Sequence, residues 1–438
     1  ASGKTVWNIP RMCLFSEKYP FMGCMWRKLP SVNKHSIMLS GSVISNDMVE
    51  IYDYFIDRNL MELLSDTGIN DYTKSVRLNF KIRDLWNRLV LDVPENEFAK
   101  ALDSLYVNHV GEVILDSLLS KWNRRWHVSL DSAQSEWLLS RHNHYFRCRS
   151  FKKYVSKEKG LQKVEGMVYN AGREGGLVGV ECSSWRENTY FNAFVEAGEA
   201  KRFSVVRSLD GYAEGMGFFM GLSANRPLVI DFEEESCSED VASHWHVGSC
   251  WETITEEEFM ANEAANEYVV DDSDADFELV DANKTMIQHY FPPKHSYRTL
   301  QGGHTNCWKD VLGTRFQGDS IRGARIISGG NGKSTATWRA TLPKGYYDVQ
   351  VFVYKSLTIP GASLPSVINH YTVYYGDEQE EIALSLDEAL GNKQQGWVSL
   401  GNFDFPGGGV KITLSNKENN QNQDIAIIAD AVKFVRLE

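Results

Sequence analysis

The chain has 438 residues, of which 42% are hydrophobic and 24% charged, an ordinary globular composition that excludes a disordered or fibrous protein. Two or three domains are expected at that length, because single cores stop growing well before it. The net charge of −12 argues against nucleic acid as a partner, and no apolar run reaches the roughly 18 residues of a transmembrane segment.

In chain order, residues 1–45, with Pro10, Pro20 and Pro30, read as an irregular cover for a neighbouring surface. A helix is expected from Asn46 to Gly68, because Met48, Ile51, Tyr52, Phe55 and Ile56 follow helical spacing. Val76, Leu78, Phe80 and Ile82 alternate as in a short strand, and Leu85, Trp86 and Leu89 return to helical spacing. A further helix follows Pro94, striped by Phe98, Leu102, Leu105 and Tyr106, with Val113, Ile114 and Leu118 in the apolar run behind it. Asp131 and Gln134 form a capping box ahead of Trp137, Leu138 and Leu139. Residues 1–160 thus read as a mostly helical N-terminal region. Residues 161–266 read as a mixed α/β region, with a glycine-rich loop at 172–179 and short strands at Phe203–Val206 and Leu228–Phe232. A linker helix opens at Thr255, with Glu258 completing its capping box.

The negative charge is concentrated in that middle region. Residues 1–160 carry +5, residues 161–290 carry −18 and residues 291–438 carry +1. Such a segment is either a surface for cations or a basic partner, or a solvated face joined to an acidic linker. The chain opens on Ala1 with no basic stretch ahead of an apolar one, which reads as a mature form or a piece of a longer protein. Seven cysteines without a CxxC pair point to few disulfides or none, Cys237 with Cys250 being the local bridge expected.

Several constellations carry chemistry on paper. His244 and His246 flank Trp245 and would share one side of an extended strand; with Asp240 or a nearby Glu they could ligate Zn²⁺. His142 and His144 repeat the pattern where the chain reads helical, which would separate them. Cys182 or Cys307 with His304 or His246 could form a nucleophilic pair. The loop Gly172–Gly176 could cradle phosphate only between a strand and a helix, and Gly332-Lys333-Ser334 reads as a turn before a strand. GxSxG and HExxH are absent, and each SxxK stands without its partner motifs. The residues alone leave open whether the chain is an enzyme.

The last third alternates most clearly. Ala336, Trp338, Ala340 and Leu342 share one strand face, as do Tyr347, Val349, Val351 and Val353, and Ile412 with Leu414. The segment opens with Tyr268-Val269-Val270-Asp271-Asp272-Ser273-Asp274-Ala275-Asp276-Phe277 and passes through Ser334-Thr335-Ala336-Thr337-Trp338 and Gly345-Tyr346-Tyr347-Asp348-Val349. Gly396-Trp397-Val398-Ser399-Leu400 follows, and Ile428-Ala429-Asp430-Ala431-Val432-Lys433-Phe434 closes it. This order and spacing resembles the golvesin/xanthan-lyase C-terminal-like domain over residues 267–437. The resemblance implies an accessory jelly roll of secreted bacterial proteins, an extracytoplasmic setting (periplasmic, cell-surface or secreted) and a binding or packing role. It implies no reaction, and its motifs are core and turn residues.

Within this module Phe352 and Tyr354 fall opposite Val351 and Val353, and Tyr374 falls opposite Val373 and Tyr375. These aromatics either form an exposed strip that stacks on sugar rings or pack against the acidic middle region. Asp272, Asp274 and Asp276 would share one face of the opening strand. There they either gather oxygens for Ca²⁺ or stay solvated. The fold expected is α+β multidomain: residues 1–160 mostly helical, residues 161–266 mixed, and residues 267–438 an antiparallel β-sandwich of jelly-roll type. The function expected is that of an extracytoplasmic bacterial accessory or binding protein of a cell-surface or polysaccharide-processing system. Its partner would be a polysaccharide or a cell-surface protein, and Ca²⁺ or Zn²⁺ its possible cofactor. The alternatives are the C-terminal portion of a larger secreted hydrolase, lyase or oxidoreductase, and an enzyme with its active site in residues 1–266.

Overall fold

The structure is a computed structural model. It describes residues 144–183, 188–209, 215–220, 223, 225, 229–235, 239–261, 266–282, 305–313, 316–318, 322–355, 367–376, 378–418 and 425–437, with shorter pieces before 144, chiefly 12–15, 58–71 and 111–114. Two compact units divide the chain: Ala1–Ser40 with Glu50–Glu256, and Gly41–Val49 with Glu257–Glu438. No helix among the described residues is long and apolar enough to cross a membrane.

In the first unit Met12–Phe15 (β1) pairs in parallel with Gly111–Ile114 (β2). A short helix spans Leu60–Ser65. Asn59 starts it by accepting from the Glu62 amide at 2.9 Å, while the Glu62 carboxylate accepts from the Asn59 amide at 2.7 Å. Such a reciprocal cap is worth about 1 kcal/mol. Nine further strands follow: Phe146–Ser156 (β3), Leu161–Asn170 (β4), Gly176–Ser183 (β5), Asn188–Val195 (β6), Ala200–Ser208 (β7), Gly215–Met220 (β8), Val229–Asp231 (β9), Glu233–Glu235 (β10) and Gly248–Ile254 (β11). They make one sheet in the order β10-β3-β4-β7-β11 and another in the order β6-β5-β8-β9. Phe146, Phe151, Val164 and Phe203 from the first sheet share a core with Val178, Val180, Phe218 and Ile230 from the second. This unit is therefore a β-sandwich. The Phe151 ring lies 5.4 Å from Phe203 and 4.7 Å from Phe218, centroid to centroid, both edge-on. Gly166 is required beneath them, because a Cβ there would come within 2.3 Å of the Phe151 ring.

This corrects the expectation of a mostly helical N-terminal region and a mixed middle. Strand accounts for 59% of the described residues and helix for 11%. Gly111–Ile114, expected in the apolar run behind a helix, is a strand, and Arg77, expected in a strand, is helical. The helix stripe at 98–106 and the capping box at Asp131 lie outside the described residues. Strand β3 shows why the period was hidden. Its register slips between Arg149 and Lys152, and Ser150 adopts φ 56°, so a bulge moves the buried positions from Phe146 and Cys148 to Phe151. The boundary expected at residue 160 falls in the turn of the β3–β4 hairpin.

The second unit contains Glu267–Val270 (β12), Phe277–Val280 (β13), Lys309–Leu312 (β14), Gly323–Ser328 (β15), Thr335–Leu342 (β16), Gly345–Tyr354 (β17), Ile368–Tyr375 (β18), Glu378–Ser385 (β19), Gln395–Phe405 (β20), Gly408–Ser415 (β21), Ala426–Ala429 (β22) and Val432–Arg436 (β23). A four-stranded sheet, β12-β23-β17-β20, faces a five-stranded sheet, β13-β16-β21-β18-β19, and β14-β15-β22 form a third. Trp338, Tyr347, Val349, Val351, Val353, Ile412 and Leu414 are all buried in the shared core, on the faces the alternation marks. Trp338 donates its indole N–H to the Asp430 carbonyl at 2.9 Å, so its burial leaves no donor stranded. The first and last strands are neighbours, Glu267–Val270 pairing antiparallel with Val432–Val435.

Candidate functional site

Two places in the second unit present chemistry. The first is the outer face of the five-stranded sheet. Side chains opposite in register share a face, and Trp338, Ile412 and Val373 occupy the core side. Their neighbours therefore lie on the other side: Arg339, Lys411, Tyr374 and Gln379 form one cross-strand row, and Thr413, Thr372 and Glu381 the next, with the buried Thr337 at its end. Lys411 holds its ammonium 3.7 Å from the centre of the Tyr374 ring. Arg339 pairs with Glu278 at 2.7 Å, both largely exposed, and the Thr337 and Thr413 hydroxyls meet at 3.3 Å. The face thus offers hydroxyl, ammonium, guanidinium, amide and carboxylate groups on a flat lattice around one half-buried aromatic ring.

The second place is a buried carboxylate cluster. Asp271 and Asp272 follow β12, Asp430 follows β22, and one carboxylate oxygen from each lies within 4.8 Å of the others. All three are at most 7% exposed. Asp271 accepts from the Ser273 hydroxyl at 2.6 Å, and Asp430 accepts from the Gln317 amide at 3.2 Å. The Arg325 guanidinium lies 2.9 Å from Asp272 and pairs also with Asp310. Burial is the chief cause that raises all three acids: Asp271 to about 6, with Asp274 adding repulsion, and Asp272 to about 7, with Asp271 adding repulsion against the opposing pull of Arg325. Asp430 is pushed well above the usual carboxylate range, first by burial and then by Asp271 and Asp272.

The residues singled out from sequence distribute as follows. Strand β12 stops at Val270, and Asp274 turns back to accept from the Asp271 amide at 2.8 Å. Asp272, Asp274 and Asp276 therefore sit in a turn and not along one strand face, and Asp430 joins Asp272 where Asp274 and Asp276 do not. Phe352 and Tyr354 are buried, at 3% and 7% exposure, and form no exposed strip. Phe352 meets Trp397 edge-on at 5.4 Å. Tyr354 packs with Phe316, Val311, Ile326 and Ile428 in a small second core. Tyr374 alone of the three looks outward.

His244 and His246 stand exposed in the turn after the short helix Glu239–Ala242, not on a strand, and no cluster of metal-ligating groups forms around them among the described residues. Cys182 is buried in the first core. Cys307 is half-buried, and His304 lies outside the described residues. Cys250 is exposed and free, and Cys237, the partner expected for it, lies outside the described residues. The glycine-rich loop ends in strand β5 and no helix follows it, which removes the phosphate reading.

Sequence reasoning missed Asp430 because its partners lie far away in the chain. The available signal was a carboxylate inside the apolar run Ile427-Ile428-Ala429-Asp430-Ala431-Val432.

Comparison with known proteins gives partial likenesses. The family model for Bacterial toxin 35 (Ntox35) matches residues 282–339. The described strands within that stretch, β14, β15 and the start of β16, pair with β22, β13 and β21, so they belong to the second sandwich. No curated protein matches the chain. Among solved structures, Paenibacillus xanthan lyase is similar over 63% of this chain and 23% of its own, at 13% identity and TM-score 0.27. A Podospora anserina GH26-CBM35 β-(1,4)-mannanase is similar over 40% of this chain and 28% of its own, at 12% identity and TM-score 0.23. The ANXUR1 extracellular domain of Arabidopsis thaliana is similar over 68% of this chain and 89% of its own, at 10% identity and TM-score 0.20. The chain spans less than a third of the length of the two enzymes. Likeness at these TM-scores establishes neither a shared fold nor a shared activity.

Proposed function

We propose that this chain is an extracytoplasmic accessory protein that binds polysaccharide through the outer face of its five-stranded sheet. The observation that carries the reading is the Arg339–Lys411–Tyr374–Gln379 row beside the Thr413–Thr372–Glu381 row. Sugar rings present apolar faces edged by hydroxyls. A lattice of alternating donors and acceptors around an aromatic ring matches that chemistry. The rows lie on paired strands and need no loop closure, so little ordering cost attends binding. The resemblance to the golvesin/xanthan-lyase C-terminal-like domain supports the setting and the accessory role.

The test is affinity electrophoresis and calorimetry of the whole chain against bacterial polysaccharides, wild type beside Tyr374→Ala and Lys411→Ala. Retardation by at least one glycan, weakened about tenfold by either change, is expected. Failure of every glycan, or binding indifferent to both changes, would end the reading. A second reading, in which the chain is part of a bacterial toxin system, is favoured by the Bacterial toxin 35 match over residues 282–339. Growth arrest on cytoplasmic expression of the second unit would support it.

A further inference from the structure

We propose that Asp271, Asp272 and Asp430 hold a Ca²⁺ ion that ties the first strand of the second sandwich to the turn between its last two strands. The inference stands apart from the glycan reading and rests on three observations. The first is spacing. A calcium ion takes oxygens at about 2.3–2.6 Å, so two ligands of one ion lie at most about 5 Å apart. The three carboxylates offer oxygens within 4.8 Å of one another.

The second is unmet bonding capacity. Oδ1 of Asp271 and Oδ1 of Asp430 are buried without a hydrogen-bond partner, on side chains that are 7% and 2% exposed. Such atoms are rare unless something unseen by the protein's own donors satisfies them. The third is charge. Arg325 is divided between Asp272 and Asp310, and Arg322 acts on Asp430, so the buried Asp271, Asp272 and Asp430 share these two cations with Asp310. Two positive charges against four negative ones leave two uncompensated when these acids are ionised. A buried excess of that kind either takes up protons or takes a cation.

The donor set selects the ion. All three ligands are carboxylates and no His or Cys among the described residues joins them, which disfavours zinc. Magnesium retains most of its water and demands a small octahedral shell, whereas calcium accepts irregular oxygen shells completed by carbonyls and water. The placement gives the ion a structural task. Asp271 and Asp272 end β12, and Asp430 separates β22 from β23. Strand β12 is an edge strand held in its sheet by β23 alone. An ion bridging the ends of both strands pins that edge and shields its repelling acids.

The test is calorimetric titration of CaCl₂ into the EDTA-treated whole chain at neutral pH, with thermal melts in parallel, for wild type, Asp271→Asn and Asp430→Asn. Wild type is expected to show one saturable site. Calcium at about 100 times its dissociation constant should raise the melting point of the second unit by about 5–10 °C. Each variant should match or exceed the EDTA-state wild type in melting point while losing at least about tenfold in affinity, which separates loss of a ligand from loss of the fold. The wild-type titration decides by itself should one variant not fold. Absence of saturable binding to wild type, or binding undiminished in both variants, overturns the site. An equal response to Mg²⁺ overturns its assignment to calcium.

Discussion

The two sandwiches of this chain solve the same architectural problem with different buried polar groups. In the first, Asn170 and Asn225 do the stapling. Asn225 accepts from the Phe146 amide at 2.8 Å and donates to the Phe146 carbonyl at 2.7 Å. Asn170 donates to the carbonyls of Glu174 and Val195 and accepts from the Gly172 amide. A carboxamide holds both a donor and acceptors, so it can satisfy a stretch of backbone without outside help. The second sandwich places Asp271, Asp272 and Asp430 at the corresponding depth. A carboxylate only accepts, and three together repel. The first unit therefore ties its backbone with carboxamides, while the second adds to a carboxamide of its own, Asn416, which accepts from the Ser334 amide and donates to the Ser328 carbonyl, a cluster of buried acids.

The largest effect that would sharpen the comparison lies in the apolar cores, where the units should behave alike. Phe203→Ala in the first and Trp338→Ala in the second should each cost about 3–5 kcal/mol in chemical denaturation, because both are at most 1% exposed. Trp338→Ala should also free the Asp430 carbonyl from its indole partner. Next comes the polar interior, where they should part. Asn225→Ala strands the Phe146 amide and carbonyl and should destabilise by roughly 2–4 kcal/mol. Asp430→Asn replaces a buried acid that is costly to ionise with a neutral group of the same shape and should leave the cation-free protein no less stable. A cost for Asp430→Asn equal to that of Asn225→Ala would break the distinction. Smallest is the cap of Leu60–Ser65: Asn59→Ala should cost about 1 kcal/mol, read as faster amide exchange in that helix.

The second sandwich was the more legible in sequence for a reason rooted in its strands. Strands β16 and β17 run with intact alternation through most of their length, and Trp338, Tyr347 and Val349 mark the core face directly. In the first unit the β3 bulge resets the period. Arg147 and Lys152 on the outer side, with Lys153 beside them, make Phe146–Ser156 look like a charged loop. Helical spacing of apolar residues before residue 150 then carried more weight than it deserved.

Of the candidate sites, Tyr374 was readable because its face follows from strand parity alone. Phe352 and Tyr354 obey the same parity yet are covered, Tyr354 by a layer formed from the strands at 309–312 and 323–328 that parity cannot announce, and Phe352 beside the Trp397 ring. The carboxylate cluster was half readable. Asp271 and Asp272 stood in a visible acidic run, but a turn after Val270 replaced the strand face that their spacing suggested. Their partner Asp430 is brought to them only by the pairing of β12 with β23.

The most direct test of the central claim is the melting point of the second unit from about pH 4 to pH 9, once with EDTA and once with calcium. Asp271 and Asp272 are raised in the folded state to about 6 and about 7, and Asp430 is raised well above the usual carboxylate range. The folded protein therefore binds more protons than the unfolded chain across that window. Without a cation, the stability these groups contribute is full below the unfolded carboxylate range and is lost as pH rises through the folded values. Calcium competes with those protons, so its curve should coincide with the EDTA curve in acid and separate upward as pH climbs past 6 to 7. Superimposable curves at neutral and alkaline pH would contradict the account, since the ionised cluster would then stand without the cation that its geometry calls for.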